Sequence, residues 1–135
     1  MKLVIDTNRI MAGLIRNGTS RTLIFSKDFQ FFTPDQAMLE IAKYKEELCM
    51  KANLTNDSFE LLLSILFEKI TIIPKEEYSE YLEESKSMLN HKEDAPFLAL
   101  AFALNTEGIW TDDKGFKDQN KMKILTTKDM VELTS

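Results

Sequence analysis

Short apolar, β-rich runs alternate along this chain with segments of helical period, and no other feature limits its fold as tightly. Lys2–Ile5 reads as a strand buried on both faces, because its apolar run is not interrupted by polar residues. After it, Ile10, Met11, Leu14 and Ile15 fall at helical spacing, and Gly18 is expected to end that helix. "TSRTLIFSKD" reads as a second short helix capped by Thr19 or Ser20, and "FQFFTP" as the next strand. Thr33 is expected to cap a long helix, with Pro34 at its first position, Asp35 in its first turn, and Met38, Leu39, Ile41, Ala42, Leu48 and Cys49 as its apolar positions. Four more elements follow: a helix from Thr55 or Asn56, a strand "KITIIP" stopped by Pro74, a charged amphipathic helix "KEEYSEYLEESKSML", and an apolar helix "EDAPFLALAFALNTEG". The last of these carries Pro96 in its first turn and has Gly108 after its end. "IWT" and "MKILT" read as short strands, and "TKDMVEL" as a final helix capped by Thr126 or Thr127. Strands that alternate with helices imply a parallel sheet covered on both faces, a three-layer α/β/α sandwich. The 135 residues suit one domain spanning 1–135, with no repeat or linker.

In such sheets ligands bind beyond the carboxyl ends of the strands, where the strand order reverses. Asp6, Asp112 and Asp113 stand at those ends. Glu40 lies on the helix after the second strand, between Leu39 and Ile41, where an acid needs a partner if its neighbours are buried. Asp94 directly precedes the apolar helix, where its simplest role is the N-cap. Asp112 and Asp113 also suit an Asx turn before Gly115. Each acid alone has such a local explanation. Together they put carboxylates from separate segments at one end of a sheet. Oxygen donors without histidine or thiolate partners suit a hard cation, Mg²⁺ or Mn²⁺.

The rest of the composition restricts the chemistry further. Cys49 is the only cysteine and sits in a helical pattern, so it reads as a packed thiol, and no internal disulfide exists. His91 is the only histidine and reads as a loop residue, which leaves no multi-histidine site. No apolar stretch approaches the roughly 18 residues that span a membrane. The start lacks a signal-peptide layout, so a cytoplasmic protein is expected. The net charge of −5 argues mildly against nucleic-acid binding, unless the acids are gathered around cations that reverse the local sign.

Four stretches, "VIDTN", "TPDQAMLEIAKYKEEL", "EDAPFLALAFAL" and "GIWTDDKGF", occur in the order found in the PIN-domain family. The chain resembles that family of metal-dependent ribonucleases, which includes the VapC-type toxins of toxin–antitoxin pairs. The resemblance covers nearly the whole chain. It implies a parallel sheet of about five strands between helices. It implies that Asp6, Glu40 and Asp94 gather around one or two divalent cations, with a fourth acid from the loop after "IWT". Asp113 matches the first aspartate of the family's pattern there, Asp112 fills its variable place, and Gly115 stands where relatives often carry an acid. Both Asp112 and Asp113 are therefore kept as candidate metal ligands beside Asp6 and Asp94. Thr7, Asn8 and Thr111 match polar residues that support the acids. Arg9, Lys43, Lys92, Lys114 and Lys117 lie near these motifs and are candidates for holding substrate phosphates. RNA is the implied substrate. A homodimer and an antitoxin protein are the implied partners, the dimer also suggested by the apolar faces of "LTNDSFELLLSILF" and "EKITIIP". Two other readings stand beside this one. The first is an inactive PIN-like domain serving as a scaffold or RNA-binding module. The second is an unrelated α/β fold with strand-end aspartates, although "VIDTN" lacks the second acid that receiver or haloacid-type folds require.

Overall fold

A computed structural model describes residues 1–134. Its five strands are β1 (Lys2–Ile5), β2 (Gln30–Pro34), β3 (Ile70–Ile73), β4 (Gly108–Trp110) and β5 (Ile124–Leu125). All pairings are parallel and the strand order is β3-β2-β1-β4-β5. The helices are α1 (Thr7–Ile15), α2 (Thr19–Ile24), α3 (Gln36–Lys43), α4 (Lys45–Ala52), α5 (Asn56–Leu66), α6 (Leu82–Met88), α7 (Ala95–Leu104) and α8 (Thr127–Leu133). This is the expected α/β architecture. The chain builds outward from β1 through β2 to β3, then returns to lay β4 on the other side of β1. The strand order reverses between β1 and β4, so their carboxyl ends open into the crevice where ligands bind in such sheets.

The central strands are buried because layers cover both faces. Leu3, Val4 and Ile5 are fully buried, as are Ile109 and Trp110 opposite them. Phe31 of β2 packs its ring 5.5 Å from that of Trp110. Burying side chains of this size stabilises the fold by about 1.5–3 kcal/mol each. Helix α7 is buried along Ala95–Ala101 and packs on β1, β2 and β4, which explains why its sequence is apolar on all sides.

Several boundaries differ from the sequence expectation. Thr33 is not a helix cap: it lies inside β2, fully buried, and donates its hydroxyl to the Ile5 carbonyl at 3.0 Å. Pairing of β2 with strands on both sides outweighs the local capping pattern. Pro34 closes the strand, and the Asp35 carboxylate accepts from Lys75 N–H and the Tyr78 hydroxyl instead of joining the helix. The long helix expected after it breaks at Tyr44 into α3 and α4. Leu39 is exposed, so only Ile41 of Glu40's two neighbours is buried. Neither Thr19 nor Ser20 caps α2, whose N-cap position is Gly18, and Arg16 rather than Gly18 follows the end of α1. The charged amphipathic segment forms two 3-10 turns and only then the short α6. Asn105, left-handed at φ 52°, ends α7, while Gly108 belongs to β4. Thr55 and Thr126 cap α5 and α8 with their side chains as expected, Thr126 in a reciprocal capping box with Asp129.

Candidate active site

Asp6 is the first residue past β1 and is buried. Its N–H donates to the Trp110 carbonyl at 3.1 Å, which ties it to the end of β4. Its carboxylate accepts the Thr111 hydroxyl at 2.7 Å. Burial pushes this carboxyl's pKa up, and repulsion from Asp113 adds to the rise. The bond from Thr111 and the charge of Arg9 oppose it.

Glu40 reaches the same region from α3. Thr7, on the first turn of α1, donates its hydroxyl to Glu40 Oε1 at 2.8 Å. Partial burial raises the pKa of Glu40 against that bond, and Asp6 and Glu93 push it further in the same direction. Asp94 occupies the N-cap position of α7, yet its side chain makes no capping bond. Its carboxyl is pushed up to about 7, first by burial and then by the charges of Asp113, Asp6 and Glu93. Asp113 is exposed and forms the expected Asx turn, accepting from the Gly115 N–H at 2.9 Å. A β-carbon built on Gly115 would sit 3.3 Å from Asp113 Oδ1 and 3.5 Å from Asp94 Oδ2, so these two carboxylates flank that glycine closely.

Four separate segments therefore bring Asp6, Glu40, Asp94 and Asp113 into one electrostatically coupled group at the β1/β4 crevice. The carboxylates are neighbours without closing into a cage: among the described residues, no three acid, imidazole or thiol side chains converge tightly enough to grip one ion as they stand. The donor chemistry still fits a hard divalent cation. The donors are oxygens, they repel one another, and several are partly desolvated, so a cation would relieve both costs.

Asp112 is turned elsewhere. It forms an ion pair with Arg9 at 3.0 Å and accepts both the N–H and the hydroxyl of Thr127, each at 2.7 Å. Arg9 is thereby engaged as well. Thr111 is fully buried, Thr7 is buried, and Asn8 is exposed. Lys43, Lys92, Lys114 and Lys117 are exposed and make no ion pair among the described residues. Of these, Lys43 is near enough to Glu40 to lower its proton affinity. Three participants escaped the sequence reading. Glu93 adds negative charge beside Glu40 and Asp94. Thr33 braces the end of β1, and Thr127 holds Asp112. Thr33 lies inside β2, where the strand-end rule that flagged the aspartates does not reach, whereas Thr127, two residues past β5, would have been found by that rule had it been applied to hydroxyls.

The sequence matches the family described as the PIN domain over residues 4–132. No curated protein matches the chain.

Proposed function

Because the chain belongs to the PIN-domain family, a fold of nuclease type, we propose that it is a divalent-metal-dependent ribonuclease that hydrolyses RNA phosphodiester bonds. The observation that carries this reading is the coupled group of Asp6, Glu40, Asp94 and Asp113 at the switch point of the sheet. Asp6, Asp94 and Asp113 would hold Mg²⁺ or Mn²⁺, with Glu40 at its edge. A divalent ion bound there supplies a water of lowered pKa and neutralises charge on the scissile phosphate. The protein's own part is positional. Thr111 fixes Asp6, and Thr7 fixes one oxygen of Glu40, leaving the other to take a proton from water. Lys43, Lys92 and Lys114 are free to meet flanking phosphates, whereas Arg9 is committed to Asp112. Unpaired RNA suits the crevice better than duplex, since its backbone bends and its bases splay.

In this reading the chain acts in the cytoplasm as the toxin of a toxin–antitoxin pair, with an antitoxin protein as partner. No helix among the described residues is long and apolar enough to cross a membrane. We also propose a homodimer, supported by the exposed Leu61 and Ile65 on α5 and Ile72 on the edge strand β3. Sedimentation equilibrium that shows only monomer at micromolar concentration would remove the dimer.

The test of activity is incubation of labelled single-stranded RNA with Mg²⁺ or Mn²⁺, with EDTA, and with the Asp6→Asn variant. Cleavage is expected only with metal and wild-type protein. Cleavage that persists in EDTA would discard the mechanism. A second reading, an RNA-binding or scaffold module without turnover, draws on Gly115 at a place where an acid would add a ligand. Metal binding without cleavage of any RNA would favour it.

A further inference from the structure

We infer that Arg9, Asp112 and Thr127 form a clasp that positions Asp113, so that Asp112 and Arg9 serve the site by orienting its loop and contact neither metal nor phosphate. This rests on the metal-site reading above and adds to it the device that selects one of two adjacent aspartates. The Asp112 carboxylate is held by three donors: Arg9 Nη1 at 3.0 Å, Thr127 N–H at 2.7 Å and the Thr127 hydroxyl at 2.7 Å. The Thr127 oxygen in turn accepts from Trp110 Nε1 at 3.1 Å and Arg9 Nη1 at 3.4 Å, which joins α1, β4 and α8 through one hydroxyl. Arg9 Nη1 is thus committed to both Asp112 and Thr127, which sets the guanidinium against the loop rather than leaving it as a free cation. On the other side, the Asp113 N–H donates to the Thr111 hydroxyl at 3.0 Å, and that hydroxyl donates to Asp6. Asp113 has extended backbone, φ −76° and ψ 120°. Successive side chains on extended backbone point to opposite sides. Pinning Asp112 outward against α8 therefore turns Asp113 toward Asp6 and Asp94, with which it is electrostatically coupled.

Thr127 is the position to test, because it is uncharged and is not one of the proposed ligands. Thr127→Val removes the hydroxyl from Asp112, and Thr127→Ser restores it. The first measurement, without metal, is amide hydrogen exchange by NMR at Asp113 and Gly115, with melting temperature as a check on the fold. The valine variant should exchange about tenfold faster at both amides and the serine variant as wild type. Unchanged exchange in the valine variant overturns the clasp. The second measurement is Mn²⁺ affinity by titration calorimetry. Valine should weaken it about three- to tenfold, serine should not, and Asp112→Asn should add little once valine is present. An equal loss from Asp112→Asn in the wild-type and valine backgrounds would make Asp112 a direct ligand and overturn the inference. Faster exchange in the valine variant, with no Mn²⁺ binding by wild type, would instead remove the metal reading and leave the clasp as the element that orients the loop.

Discussion

Replacing Asp94 by asparagine should stabilise the protein at alkaline pH, although it deletes a residue at the centre of the proposed site. In the folded chain burial and three acidic neighbours push the Asp94 carboxyl up to about 7, against 3.8 as its ordinary value. Between those values the folded protein keeps a proton that the unfolded chain releases. Stability then falls as pH rises, because the folded state is the one binding more protons. The destabilisation is absent below about 4, grows through the window, and is complete once pH passes about 7. Taken at face value the shift is worth about 4 kcal/mol. Asp94 is only half-buried, so water screens its neighbours, and ~1–2 kcal/mol is the expected remainder. Asparagine has nearly the same shape and no charge, so the variant escapes this cost. The assay is urea unfolding in EDTA at pH 5 and pH 8, followed by fluorescence of Trp110, the single tryptophan and a fully buried one. At pH 8 the variant should be the more stable by ~1–2 kcal/mol, about 3–4 °C in Tm per kcal/mol for a chain this long. At pH 5 the gap should be smaller, about four-tenths of its pH 8 value, because the unfolded carboxyl has already lost most of its proton there. A variant less stable than wild type at pH 8, or an equal gap at both pH values, would refute the reasoning. With saturating Mn²⁺ the order should reverse, since only the wild type gains the full linkage stabilisation, about 2.7 kcal/mol at a hundred times Kd.

Mn²⁺ should bind wild type more tightly at pH 8 than at pH 6, because Asp94 must lose its proton to act as a ligand; calorimetry in two buffers of different ionisation enthalpy would reveal the released proton, and pH-independent affinity would count against Asp94 as a ligand. Thr7→Val should leave the Glu40 carboxylate without its 2.8 Å donor and slow RNA cleavage about tenfold at saturating metal, with Thr7→Ser restoring the rate. Thr126→Ala should remove the capping box of α8 and cost about 1 kcal/mol in urea unfolding, with no effect on metal affinity beyond that loss. Asn105→Leu forces a branched side chain into the left-handed backbone that ends α7, and should destabilise by about 1 kcal/mol, while Asn105→Gly should be close to neutral.

The acids were legible because the rule that finds them is short-range. An apolar run followed by Asp6, or by Asp112 and Asp113, marks a strand end within a few residues. Alternation of such runs with helical periods then sets a parallel sheet, and a parallel sheet gathers those ends. Helix caps were legible where nothing competed with them, as at Thr55 and Thr126. Thr33 carries the same local signal but lies between two hydrogen-bonded strands, and the ladder outweighs a single capping bond. Tyr44 breaks a helix whose apolar spacing is continuous in sequence.

What the amino-acid sequence alone determined is the order of elements and the set of carboxylates that this order delivers to one edge of the sheet. The surroundings of the two adjacent aspartates were decided only in three dimensions. Asp112 and Asp113 have the same chemistry and the same neighbours along the chain. They differ in what the fold sets beside them: Arg9 from α1 and Thr127 from α8 on one side, Asp6 and Asp94 on the other. Those partners lie far away in sequence, and a carboxylate's direction is settled by the donors and charges within a few ångströms of it, which periodicity does not encode.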